Sequence, residues 1–126
     1  MGIMVKTDRD ENMEILKESV AYLENRGFEH IQADVEGYET PKSYHKKDSD
    51  VVITPDIVAD RAGIKHYFEI SLKSAKARQL KSKWQFLDTL TRMRHQRFKI
   101  ITRRGHYKFT DEMLKDLNLE KNLIKL

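Results

Sequence analysis

Apolar residues recur along this 126-residue chain with two different periods, and the switches between them mark out its elements. Met13, Leu16, Val20 and Leu23 follow at three- and four-residue steps, with Ile15 and Tyr22 widening the stripe. That spacing predicts an amphipathic helix of about four turns. Asp8 or Asp10 serves as its cap, Asp8 and Glu11 having capping-box spacing, and Gly27 ends it. Residues 1–7 read as a flexible start. From Phe28 to Val35 a weak alternation predicts a first strand with Ile31, Ala33 and Val35 on one face. Residues 37–50, rich in Gly, Pro, Ser and charge, read as an exposed loop.

Val51 to Ala59 is apolar on both faces and predicts an inner strand, in which Pro55 forces a bulge or an interruption. Ala62-Gly63 turns the chain back in a hairpin. On the next strand, Ile64 to Leu72, period two sets Ile64, His66, Phe68, Ile70 and Leu72 on one face. Lys65, Tyr67, Glu69, Ser71 and Lys73 fall on the other. Ser74 then caps a helix over residues 75–95, whose stripe is Leu80, Trp84, Leu87, Leu90 and Met93, with Phe86 at its edge. Arg97 to Thr102 reads as a short strand, Arg103-Arg104-Gly105 as its end, and Thr110 as the cap of a last helix. The order helix, three strands, helix, strand, helix predicts one α/β domain over residues 1–126, with a central mixed four-stranded sheet flanked by helices. The step from residue 64 to 102 is expected to be a right-handed crossover between parallel strands.

Charge changes this picture more than composition does. The net charge is only +4, yet Arg61 to Lys108 holds 14 Lys and Arg against two acids, Glu69 and Asp88, a local net of +12. The remainder carries 10 basic and 18 acidic residues, a net of −8. A basic half of this kind attracts polyanions, and nucleic acid is the expected partner. Lys76, Arg78, Lys81, Arg92, Arg103 and Arg104 are the expected phosphate contacts. Cysteine is absent, which excludes disulfides and Cys-based zinc or nucleophile chemistry. The five histidines lack ligand spacing, so no zinc site is expected either. No apolar run approaches a membrane span and the first residues lack the apolar core of a signal peptide, so a cytoplasmic protein without a membrane partner is expected.

The sharpest chemical hint is the stretch TPDIVADRAGIKHYFEISLK, Thr54 to Lys73, which places Asp56 and Glu69 on neighbouring strands with lysines close by. Here the chain resembles the PD-(D/E)xK nuclease superfamily, whose restriction-endonuclease-like core has the order helix, three strands, helix, strand. The likeness rests on that arrangement over residues 8–102, on Pro55-Asp56, and on Glu69 thirteen residues later. It implies a nuclease that hydrolyses DNA phosphodiester bonds with Mg²⁺ or Mn²⁺. Asp56 and Glu69 would be the metal-binding carboxylates and the carbonyl of Ile70 a further ligand. It also implies a homodimer or larger assembly. The superfamily's lysine two residues beyond the second acid is Ser71 in this chain, so Lys73 is the expected displaced lysine, with Lys76 or Lys81 as substitutes. Many members add a first-helix glutamate, for which Glu11, Glu14 and Glu18 are the candidates. A binding module of the same fold without the chemistry, or a protein-interaction subunit, remains as an alternative.

Overall fold

The computed structural model describes residues 2–126, with side chains described from Glu11 onward. Helix α1 spans Gly2–Asn25, followed by strands β1 (Glu29–Ala33), β2 (Tyr44–His45), β3 (Val52–Ile53), β4 (Ile57–Arg61) and β5 (Ile64–Ile70). Then come α2 (Ala77–Met93), β6 (Arg97–Thr102), α3 (Tyr107–Leu117), a short 3₁₀ turn (Glu120–Asn122) and β7 (Leu123–Lys125). The main sheet has five strands in the order β1-β4-β5-β6-β7, and β2 pairs with β3 in a separate hairpin. β1, β4 and β5 pair antiparallel, whereas β6 runs parallel to β5, and β7 parallel to β6. The fold is therefore α/β with a mixed sheet, larger by one strand than the sequence pattern predicts.

Several boundaries differ from the sequence expectation for identifiable reasons. α1 begins at Gly2, so Asp8 and Asp10 lie within the helix and do not cap it; no proline interrupts residues 2–10. Met1 lies outside the described residues. At its other end the helix closes as its sequence predicts: Gly27 adopts φ +85°, and the N–H of Phe28 donates to Leu23 O at 3.1 Å. α2 starts at Ala77, with Ser74 Oγ instead accepting the Lys76 N–H at 3.0 Å. α3 starts at Tyr107, which puts Thr110 inside the helix and not at its cap. β7 escapes the periodicity because three residues are too few to show a period, and the predicted loop 37–50 contains β2.

Both faces of the sheet are covered, which is why β5 is buried on alternate and intervening residues alike. On one face Ile57, Ala59, Phe68, Ile70 and Ile101 pack with Ile15, Leu16, Val20 and Leu23 of α1. On the other, Val58, Tyr67, Phe98 and Ile100 pack with Trp84 and Leu87 of α2 and with Met113 and Leu114 of α3. Glu69 belongs by parity to this second face and is fully buried. A charged group in such surroundings needs partners, and its partners define the site.

Candidate active site

The site begins where the β4–β5 ladder stops. The last backbone pair of that ladder is Ile57 with Phe68, because Pro55 cannot donate a ladder bond and breaks the apolar run between β3 and β4. Two amide groups would be left without strand partners there. Two carboxylates take their place reciprocally: Asp56 N–H donates to Glu69 Oε2 at 2.9 Å, and Ile70 N–H donates to Asp56 Oδ2 at 2.8 Å. Each acid is thus oriented by the backbone of the other's neighbourhood. The proline that spoils the strand is what frees these amides to hold the acids.

Each carboxylate has its second oxygen turned toward one ammonium, that of Lys83 on α2. Lys83 Nζ lies 3.0 Å from Glu69 Oε1 and 3.7 Å from Asp56 Oδ1. Glu69 Oε1 is buried with Lys83 Nζ as its one close polar partner, which leaves a lone pair of that oxygen unshared. Glu69 is sealed, its side chain 1% exposed, while 36% of the Asp56 side chain is open. Asp56 borders a cavity of about 230 Å³ whose wall includes Asp34, Thr40, Thr54 and Pro55.

Electrostatics follow from this burial. Desolvation, then the nearby charge of Asp56, pushes the Glu69 carboxyl up to about 8 against the opposing pull of Lys83. Desolvation likewise raises Asp56, with Lys83 and the Ile70 N–H pulling the other way. Burial alone would lower Lys83, but the two carboxylates outweigh it and hold the lysine above its ordinary value. Near neutral pH the lysine is therefore an ammonium, and burial favours the protonated form of Glu69.

Lys73, the lysine expected from parity, takes no part in this triad. Parity applies only while the strand lasts, and β5 ends at Ile70. Beyond it the chain is irregular, and Lys73 is exposed, its N–H donating to His106 Nδ1 at 2.9 Å. Lys73 and Lys76 line a groove of about 430 Å³ that also includes Glu11 and Ile70. Lys81 pairs with Asp116 at 2.7 Å and does not substitute either. The signal for Lys83 was present in the sequence: it stands three residues after Leu80 and four before Leu87, a charge within the inward stripe of an amphipathic helix.

Ser71 stands where the resemblance implies a lysine, and its surroundings explain the serine. Its side chain is fully buried and shares a hydrogen bond with Thr110 Oγ1 at 2.7 Å. Thr110 Oγ1 donates to Thr102 Oγ1 at 3.1 Å, and Thr102 Oγ1 donates to Ser71 O at 3.0 Å. This hydroxyl ring ties β5, β6 and α3 together where a lysine would have no water. Among the first-helix glutamates, Glu11 Oε2 lies 3.2 Å from Arg103 Nη2 and 3.1 Å from His106 Nε2, and the bond to His106 leads in lowering its pKa. Glu14 and Glu18 also pair with Arg103. All three are thereby engaged with the loop after β6.

The expected phosphate contacts separate into two groups. Lys81, Arg92 and Arg103 are paired with Asp116, Asp88 and the α1 glutamates. Lys76, Arg78 and Arg104 are exposed and have no carboxylate partner among the described residues. No cluster of three or more Asp, Glu or His side chains suited to a metal occurs among the described residues. A divalent ion here would rely on Asp56, Glu69, a backbone carbonyl such as that of Ile70, and water. That donor set suits Mg²⁺, which takes one or two carboxylates and keeps several waters. The unused Glu69 Oε1 lone pair is the structural feature that fits a cation. The chain finds no match among protein-family models, curated proteins or solved structures. No helix among the described residues is long and apolar enough to cross a membrane.

Proposed function

We propose that this protein is a Mg²⁺- or Mn²⁺-dependent nuclease hydrolysing DNA phosphodiester bonds on a restriction-endonuclease-like core. The observation that carries the reading is the convergence of Asp56, Glu69 and Lys83, two acids and an ammonium from three elements, at the interrupted end of a β-hairpin. A lone ion pair serving only the fold would need one acid, and the second acid beside it costs stability through like-charge repulsion. Such a pair repays that cost when it holds a cation. When bound, a hard divalent ion neutralises charge at the phosphate and acidifies a water.

The chain's own residues divide the remaining work. Asp56 and Glu69 present one oxygen each while their other oxygens are anchored by backbone N–H groups, so the side chains are already oriented, and Glu69 loses the proton that burial favours on it when a cation binds. Lys83 stays charged, which suits orienting an attacking water and stabilising charge developing on the phosphate more than accepting a proton. It takes the role that Lys73 was expected to fill. Lys76, Arg78 and Arg104, exposed and without carboxylate partners among the described residues, are the cations open to backbone phosphates.

The test is cleavage of plasmid and linear DNA with Mg²⁺ or Mn²⁺. Wild-type protein cuts, Asp56→Ala and Glu69→Ala abolish cutting, and chelation stops it. Cutting that survives both substitutions would overturn the site. Salt-sensitive binding without any metal-dependent cleavage would leave the alternative, a binding module of the same fold.

A further inference from the structure

A second pocket, of about 200 Å³, lies near the other end of β5 on the α1 side of the sheet. By strand rise it is about 10 Å from Glu69 along β5 and on the opposite face, since His66, which lines it, sits three residues earlier. Arg26, Arg61 and Lys99 converge on it, and none of its lining residues is an acid. Among the described residues none of the three cations has a carboxylate partner, although six other side chains, His30, Lys81, Lys83, Arg92, Arg103 and His106, do.

The guanidinium groups are held in place by rings: Arg61 lies 4.5 Å from the Phe28 centroid and Arg26 4.8 Å from that of Tyr22. Arg61 Nη1 also donates to Arg26 O at 3.5 Å, which keeps the two side by side. Stacking of this kind fixes a guanidinium plane while leaving its donors free for an anion. Like charges gathered without a counter-charge repel, and an anion among them removes that cost. At the pocket wall, His66 Nδ1 faces Ile64 O at 2.9 Å. A carbonyl only accepts, so Nδ1 carries the proton and Nε2 is a bare acceptor. Burial, aided by Arg61, Lys99 and Arg97, lowers the His66 pKa and keeps the ring neutral.

We infer that this pocket binds a phosphate monoester, with Arg26, Arg61 and Lys99 on the phosphate oxygens and neutral His66 accepting a hydrogen bond from a hydroxyl of the same ligand. Its volume is below the roughly 300–1,000 Å³ typical of pockets for drug-sized ligands, which suits one phosphate and the start of what it carries. Fork-shaped guanidinium donors match phosphate oxygens bidentately. Two sources share this chemistry, a free nucleotide and the phosphorylated end of a nucleic-acid strand. The inference stands apart from the acid site, because no residue is common to both.

The experiment is calorimetric titration of the full chain with dAMP, adenosine, and one oligonucleotide with and without a 5′ phosphate. Saturable binding is expected for dAMP or for the phosphorylated oligonucleotide beyond its unphosphorylated twin, and none for adenosine. Binding of dAMP assigns a free nucleotide; a phosphate-dependent gain for the oligonucleotide alone assigns a strand end. Arg61→Ala and Lys99→Ala should each weaken binding at least about tenfold, with unchanged circular dichroism. Asp56→Asn should leave the affinity for dAMP, or the gain that the 5′ phosphate gives the oligonucleotide, unchanged. Adenosine binding as tightly as dAMP, no saturable binding of dAMP together with no gain from the 5′ phosphate, or affinity that survives the double substitution Arg61→Ala with Lys99→Ala would overturn the site.

Discussion

At the scale of single residues, Lys83 decides more than any other side chain how the acid pair behaves. Its ammonium lies within 4 Å of both carboxylates, whereas Lys73 engages the fold through its backbone. Lys83→Ala should therefore lower cleavage by about 10²–10³-fold, the size of effect seen when one preorganised electrostatic donor is removed. Lys73→Ala should leave cleavage within a few-fold of wild type, and a single-turnover assay compares the two. Ser71 makes the complementary point. Ser71→Lys restores the superfamily motif on paper but places an ammonium in the hydroxyl ring of Ser71, Thr102 and Thr110. It should cost about 3–5 kcal/mol, the penalty of an uncompensated buried charge, and gain no activity. Urea unfolding measures the loss.

At the scale of elements, the β4–β5 hairpin sets the register that brings Asp56 beside Glu69. Its two turn residues, Ala62 and Gly63, both have positive φ, +54° and +77°. Only glycine takes such angles without steric cost, so Ala62 is strained where Gly63 is not. Ala62→Gly should stabilise the protein by about 0.5–1 kcal/mol, seen as a higher urea midpoint at unchanged slope. The hairpin, its turn and the break at Pro55 were all legible in the sequence, since each rests on neighbours in the chain. The starts of α2 and α3 were less so. Ser74 and Thr110 have the chemistry of caps, but Thr110 is claimed by Ser71 and Thr102, partners that no local pattern reveals. Helix α2 shows both cases at once: Trp84 and Leu87 of its stripe are buried as the period predicts, whereas Met93 at its end is 76% exposed, and Lys83 is a charge that the period alone does not single out.

At the scale of the whole molecule, the buried acid pair and the uneven charge each leave a measurable trace. Glu69 titrates at about 8 in the folded protein against an ordinary 4.5, so the folded state holds a proton that the unfolded chain releases. Its contribution to stability is present below about 4.5 and is lost as pH rises through about 8. With chelator present, the melting temperature should therefore fall across that window, and Glu69→Gln should flatten the decline. A rise in melting temperature on adding Mg²⁺ at the upper end of the window would register binding to the folded state alone. For nucleic acid, neutralising Lys76, Arg78 and Arg104 together should reduce the slope of log affinity against log salt by about 2–3. The same change at Lys81, Arg92 and Arg103, already paired within the chain, should do less.

The sequence by itself determined the α/β layering, the order of the principal elements, the hairpin turn and the two acids. Period, proline and glycine act over a few residues, and a chain that alternates or repeats must bury the faces so defined. The tertiary structure alone decided which lysine completes the triad, why serine stands at position 71, and that Arg26, Arg61 and Lys99 share a pocket. Those choices join residues 14 to 73 positions apart across separate elements, where burial and charge are settled by packing. The fifth strand belongs with them, for β7 is held by its pairing with β6 and by the packing of Leu123 and Ile124 on the two cores, and three residues are too few to show this as a pattern.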